Sequence, residues 1–293
     1  MKRSLDTRIF NLLGYTLVTL IAAICVLPLV LLVSGSFTPE REISLHGFSL
    51  WPSQATLAAY DLVFRNPKEI LNGYEITILI TAVGAATGLL VTAMTAYVIS
   101  RKDFKYRNRI TFFFYFTTLF NGGLLSTYIF VIRYLRLKNS LLALILPLMI
   151  NVFYLLVMRS FMKEVPDSIS EAGKMEGAGD FTIFFRLILP LMKPALATIG
   201  LFLALDYWND WSNAMLYITN RALYPLQYLL YSLLSETDAM SRIATNMGIP
   251  MAMLPSQSLK MAMTIVATGP VILVYPMVQK YFIKGLTIGA VKG

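Results

Sequence analysis

The chain has 293 residues, 57% of them hydrophobic and 14% charged, with a mean hydropathy of +0.65. Soluble domains carry about 25% charged residues, so this composition excludes a disordered chain, a collagen-like fibre and a disulfide scaffold, and it points away from a soluble enzyme. The net charge of +9 reads as basic residues flanking membrane spans rather than as a nucleic-acid surface, and a single cysteine (Cys25) and histidine (His46) exclude an internal disulfide and a His/Cys metal site.

A membrane span needs about 20 mostly apolar residues, because the hydrocarbon core is about 30 Å thick. The first charge-free interval runs for 31 residues between Arg8 and Glu40. Basic residues precede it and Ser34-Gly35-Ser36 is small, but a signal-peptide core is about 7–15 residues, so the interval predicts an uncleaved helix over about 11–37. A second interval of 25 residues lies between Glu75 and Arg101 and predicts a span over about 73–99. It contains Gly84-xxx-Gly88, a spacing that lets helices pack closely. Intervals of 23 residues after Arg109 and 20 after Lys138 predict spans over about 110–132 and 140–162. Pro28 and Pro147 should kink their helices.

The segment 163–189 is polar. Ser168-x-x-Glu171 has the spacing of a capping box, so a short helix is expected to start at Ser168. Gly177 and Gly179 should stop it, because glycine accepts the left-handed conformation of a helix C-terminus. Asp180 could then cap a second helix running from Phe181 towards Leu189. A stiff helix held between two spans can act as a lever when it lies in a groove of another protein; the bland reading is that Glu171 caps and Gly177 turns.

A fifth span is expected over about 190–212, bent at its entry by Pro190 and Pro194. Its far end carries Asp206, Tyr207, Trp208, Asn209, Asp210 and Trp211. Asp206 lies roughly 18 Å along the helix from Pro194 at about 1.5 Å per residue, a depth at which a charge should face a cavity or a partner. Aromatic rings can stack on sugar faces while Asn and Asp bond hydroxyls. An interfacial aromatic belt explains the same residues. In the following long loop, about 213–260, Leu226, Leu229, Leu230 and Leu233 fall on one helical face. That face suits either a membrane interface or a partner. The last 19-residue interval, between Lys260 and Lys280, predicts a sixth span over about 261–283, with Pro270 and Pro276 inside it.

Six spans place both termini on one side. That side holds 16 of the 25 Lys and Arg, and six of the other nine lie in the two long loops, about 38–72 and 213–260. Long loops weigh little in this rule, so both termini are expected in the cytoplasm. No G-x-x-x-x-G-K-[ST], H-E-x-x-H or EF-hand pattern is present. His46 alone supports no Ser-His-Asp arrangement, so the chain is not expected to do covalent chemistry.

The polar segment carries a resemblance. Glu171-Ala172-Gly173-x-x-Glu176-Gly177-Ala178, followed by Phe184 and Leu189-Pro190-Leu191-x-x-Pro194, resembles the EAA loop of ABC-importer permeases of the maltose type. Gly173 stands where the pattern has its second Ala, and Glu176 where it has Asp. Gly173 should loosen the helix by about 1 kcal/mol relative to Ala. The ending Lys284 to Gly293 and the run Tyr224-Pro225-Leu226-Gln227 are similar to the same permeases, most closely those for oligosaccharides or polysaccharide fragments, including alginate importers.

The resemblance implies an all-α permease with the type I importer architecture. Its partners would be a second permease, two cytoplasmic ATPases and an extracytoplasmic solute-binding protein, in a bacterial inner membrane, with a carbohydrate substrate. The chain itself would hold no cofactor, catalytic residue or metal; ATP and Mg would sit on the ATPases. Ser168, Glu171, Ala172, Gly173, Glu176, Gly177 and Ala178 would couple to the ATPase, and residues 285–293 could touch it too. Tyr224, Pro225 and Gln227 would face the binding protein. Two other classes stay open: an ion-gradient transporter, which predicts buried ionisable groups and internal repeats, and a membrane scaffold with no ATPase partner.

Overall fold

The computed structural model describes residues 5–120, 122–247, 257–270 and 272, and within them regular structure is helical. The second half of the expected sixth span and the C-terminal segment 285–293 lie outside the described residues. The chain divides into two units, residues 1–67 with 230–270 and residues 68–229 with 271–293.

In the first unit, helix α1 runs over Leu5–Phe37 with Pro28 inside it. Most of its large apolar side chains from Phe10 to Val33 are exposed, so among the described residues little shields them from water, and the helix needs lipid or another protein around it. Among the described residues its last turn is the part that packs. Ser34, Ser36 and Thr38 are buried. Ser34 donates to the Ser49 carbonyl at 2.8 Å and Ser36 meets the Tyr60 hydroxyl at 2.9 Å. These contacts hold α1 to α2 (Glu40–His46) and α3 (Ala58–Val63). Gly35 is where Met261 arrives: a Cβ there would lie 2.0 Å from its sulfur. Glu40 accepts from the backbone N–H groups of Gln257 and Ser258 at 3.0–3.1 Å, and so caps the helix over residues 257–270.

The second unit is built around α4, Pro67–Ser100. The small-residue spacing does what it is expected to do. A Cβ on Gly84 would lie 2.4 Å from the Tyr207 ring, and one on Gly88 would lie 2.9 Å from the Met149 carbonyl oxygen. Both glycines are therefore seats for neighbours. Helix α5 (Arg107–Leu119) is followed by α6 (Gly123–Ile129), which continues as a π-helical turn to Tyr134. Helix α7 (Leu142–Ile145) runs through a 3-10 turn at Pro147 and meets α8 (Val152–Lys163) at a 52° bend. Asn151 caps α8 by accepting from the Phe153 N–H at 2.9 Å.

Helix α9 covers Asp167–Met175. Residues Asp180–Leu191 then form one short rod, α-helical at Asp180–Thr182 (α10) and Leu189–Leu191 (α11) and π-helical between. It turns by 86° at Met192 into α12, Lys193–Asn209. Pro190 and Pro194 flank that bend, as their missing N–H groups and fixed φ require. Helices α13 (Ser212–Tyr217) and α14 (Leu226–Asn246) follow. One apolar core joins Ala93, Ala96 and Ile99 of α4 to Leu155 and Met158 of α8, Ile183 and Phe184 of the rod, and Ile199 and Leu203 of α12. A second joins Ile80, Val131, Leu144, Ala214 and Tyr217.

Among the described residues two helices, Phe10–Phe37 and Pro67–Ser100, are long and apolar enough to cross a membrane; each of three bent pairs counted as one span raises that to up to five.

Candidate coupling site

The polar segment folds into a helix presented on a brace. Pro166, at φ −59° and ψ 134°, precedes α9, and the helix makes no side-chain cap bond. The expected capping box at Ser168 is not formed. Pro166 takes the cap position, two residues before Ser168, so Ser168 already lies inside the first turn. Asp167 favours that N-terminus by its charge and pairs with Lys102 Nζ at 2.7 Å.

The other end follows the sequence closely. Gly177 has φ +79°, the left-handed region open to glycine. Its N–H donates to the Lys174 carbonyl at 3.0 Å, and the Ala178 N–H donates to Gly173 at 2.9 Å. These two bonds form a Schellman cap. Gly179 takes no part in the left-handed turn; it is extended, at φ −70° and ψ 161°, and is itself the residue before the rod. Asp180 is consequently the first helical residue rather than a cap, and its carboxylate pairs with Arg101.

Gly173 is buried on the inner face of α9. A Cβ there would meet Leu187 Cδ1 at 2.9 Å and Ile183 Cγ1 at 3.0 Å. The departure from the family's Ala is thus a place of close approach to the rod. Ser168, Glu171, Ala172, Glu176 and Gly177 are exposed and Ala178 is half-buried. Residues 168, 171, 172 and 175 share one helix face by their spacing. Met175 is 89% exposed and Phe181 70%. Sequence reasoning missed both apolar side chains; an apolar residue standing next to Glu171 and Glu176 was the available signal.

The brace is the link between α4 and α5, also absent from the sequence reading. Arg101 pairs with both Asp103 and Asp180 and stacks 5.5 Å over the Tyr97 ring. Lys174 of α9 reaches Asp103 at 3.0 Å. Hydrogen bonds from Arg101 and then Lys174 hold the Asp103 carboxyl well below the usual carboxylate range, and Asp103 in turn raises Arg101. Each exposed pair is worth about 0–1 kcal/mol, but three of them tie one short segment to the link, and the fourth, Arg101 with Asp103, stiffens the link itself. Lys102 holds the start of α9, Lys174 its last turn and Arg101 the rod.

The residues at the end of α12 separate into different roles. Tyr207 is fully buried; its ring sits on Gly84 and its hydroxyl donates to the Ile145 carbonyl at 2.7 Å. It packs the interior and does not line a path. Asp210 accepts from the Asn213 N–H and Nδ2 and from the Ser212 hydroxyl at 2.8–3.2 Å, which starts α13. Asn209 is exposed and bonds the Leu205 carbonyl; Trp211 is exposed and Trp208 half-buried. Asp206 is half-buried and accepts from the Tyr154 hydroxyl at 2.9 Å, beside a Tyr154–Phe202 ring stack at 5.9 Å. Tyr154 is a further residue that α12 alone could not reveal.

Pro225 is buried, while Tyr224 and Gln227 are half-buried. Leu226 and Leu229 lie against Gly73 of α4. These two leucines of the stripe therefore face protein rather than a membrane interface. Among the described residues no three His, Cys, Asp or Glu side chains converge as a metal site.

Known proteins resemble this chain over most of its length. Residues 88–288 match the family described as binding-protein-dependent transport system inner membrane component. A polygalacturonan/rhamnogalacturonan transport system permease protein of Bacillus subtilis (strain 168) is 38% identical over 289 residues, 99% of this chain and all of its own. An arabinooligosaccharides transport system permease protein of Halalkalibacterium halodurans is 29% identical, covering 93% of each chain. The crystal structure of a bacterial ABC transporter involved in the import of the acidic polysaccharide alginate is 28% identical, with a TM-score of 0.79 over 96% of this chain and 99% of that one. A family model over two thirds of the sequence and a relative matched end to end decide the family: this chain belongs to the binding-protein-dependent transport system inner membrane components.

Proposed function

We propose that the chain is the permease subunit of a binding-protein-dependent ABC importer of carbohydrates, taking oligosaccharides or fragments of polysaccharide. The observation that carries the coupling part is α9: a short helix with an exposed face, pinned at both ends to the α4–α5 link. A helix face carrying Glu171, Ala172 and Met175 suits a groove on another protein. In this reading the groove belongs to an ATPase subunit, which holds ATP and Mg. The chain crosses the inner membrane six times with both ends in the cytoplasm and pairs with a second permease. An extracytoplasmic binding protein delivers the sugar near Tyr224 and Gln227. Asp206 with Tyr154 is the best-placed polar group for the path, with Trp208 and Trp211 beside it.

The mechanism follows from the brace. When ATP closes the ATPase dimer, α9 moves with its groove. Lys102, Asp103 and Arg101 transmit that displacement to α4, and the rod transmits it across the bend at Met192 to α12. The spans then alternate between outward and inward openings. The names of the relatives support a carbohydrate, with pectic, arabinan and alginate fragments among the candidates.

The test is purification from membranes with the neighbouring gene products, followed by ATPase assays with binding protein loaded with each candidate sugar. A copurifying ATPase stimulated by one loaded sugar is expected. A chain that transports with no ATPase subunit would instead support an ion-gradient transporter.

A further inference from the structure

Next to α9 in the second unit lies a cavity of about 520 Å³, within the range of about 300–1,000 Å³ typical of ligand pockets. The end of α4, the start of α5, the end of α8 and the start of α9 bound it. Five cations line it against two acids, Glu164 and Asp167. Two of the cations are already balanced, Arg101 by Asp103 and Asp180 and Lys102 by Asp167. The other three, Arg107, Arg159 and Lys163, make no salt bridge among the described residues.

Arg159 donates its Nε–H to the Ile99 carbonyl at 3.2 Å, and Arg107 makes a long bond of 3.5 Å to the Arg101 carbonyl. Neither carbonyl cancels a charge. Arg107 is close enough to act electrostatically on Arg159, and both are half-buried. Two like charges sharing a partly enclosed cavity repel, and a counter-anion between them would turn that repulsion into two charge-assisted contacts.

We propose that this cavity binds a phosphate-bearing anion, the headgroup of an anionic phospholipid, between Arg107, Arg159 and Lys163. Guanidinium forks match phosphate oxygens in pairs, and the exposed Lys163 adds a third charge to the lining. The wall turns apolar at Met162 and Ile188, which suits the start of an acyl chain. Basic pockets between spanning helices at the cytoplasmic face recognise such headgroups. The choice of lipid over free phosphate rests on the reading of α4 and α8 as spans that end at that face.

The full chain is reconstituted in nanodiscs of phosphatidylcholine, alone or mixed equally with phosphatidylglycerol, and retained lipid is counted by native mass spectrometry after transfer to detergent. Wild type should retain phosphatidylglycerol selectively. Arg107→Gln and Lys163→Gln should each lower its retention about tenfold, which is the effect of one lost contact of about 1.4 kcal/mol. Arg107→Lys should restore most of it, separating loss of charge from loss of fold. Inorganic phosphate titrated into the phosphatidylcholine discs, read by protection of Lys163 from acylation, tests the other source. Phosphate protection without lipid retention would overturn the lipid assignment. Equal retention of both lipids, unchanged in the variants, would overturn the site. So would loss of the bound lipid on adding the ATPase subunit, which would mean that an acidic side chain of that partner fills the cavity. The lipid counts on the chain alone need no ATPase, so their failure leaves the importer reading untouched.

Discussion

Glu171 and Gly177 make the sharpest claims at the scale of the residue, because the fold does not need the first and cannot spare the second. Glu171 is exposed, so Glu171→Lys should leave expression and assembly unchanged while ATP-driven uptake falls to background. Uptake at the wild-type rate in a normally assembled complex would remove Glu171 from the coupling contact. Gly177→Asp should fail differently. A side chain at φ +79° costs about 1–2 kcal/mol, so hydrogen exchange in residues 167–178 should quicken together with the loss of uptake. Tyr207 gives a prediction of the opposite kind. Tyr207→Phe leaves the buried Ile145 carbonyl without its partner, at a cost of about 1–3 kcal/mol. Gly84→Val drives a branched side chain into the Tyr207 ring, and overpacking costs about 1–3 kcal/mol. Both variants should lower the thermal midpoint in detergent, and the surviving folded fraction should still transport.

At the scale of the element, the coupling segment behaves as one braced piece rather than as a loop. Asp103 joins Arg101 and Lys174, so Asp103→Asn should loosen α9 and the rod together, read as faster exchange over residues 167–191. The pH dependence has a definite sign. The folded carboxyl is held below its ordinary value of 3.8, so its contribution is complete above that value. It is lost only as pH falls below it through the depressed folded value. Protection of α9 amides, taken relative to their intrinsic exchange rate at each pH, should therefore match at pH 7 and pH 5 in wild type. A loosening already complete at pH 5 would show that another group holds the segment.

Local chemistry was readable here and long-range chemistry was not. Gly177 ends α9 because one residue's backbone freedom decides it. Ser168 lost its cap because the helix starts two residues earlier, behind Pro166. The partners of Asp180, Gly173 and Tyr207 come from Arg101, the rod and Gly84, which no local pattern links to them. The six aromatic and acidic positions at the end of α12 looked alike in sequence, yet burial assigned Tyr207 to the core and Asp206 to a bond with Tyr154 on α8.

The whole molecule sets the final scale, because α1 and α9 each present a surface that the chain does not cover. The apolar side chains of α1 are exposed along its length, which in the proposed reading lipid and the second permease surround. The charge-free intervals located α1 and α4 well, since apolar composition alone decides a span. The prolines announced the bends at Met192 and between α7 and α8, but neither their angles nor the cap that Asn151 supplies to α8 could be read from them. The central claim is that α9 docks on an ATPase subunit and moves with it. The most direct measurement replaces Met175 by Cys in a Cys25→Ser background and cross-links the assembled complex to single cysteines on the ATPase, with and without ATP. The account predicts an efficient cross-link at one groove position, with uptake blocked once it forms and restored on reduction. No cross-link from position 175 to any ATPase position, in a complex that still imports, would contradict it.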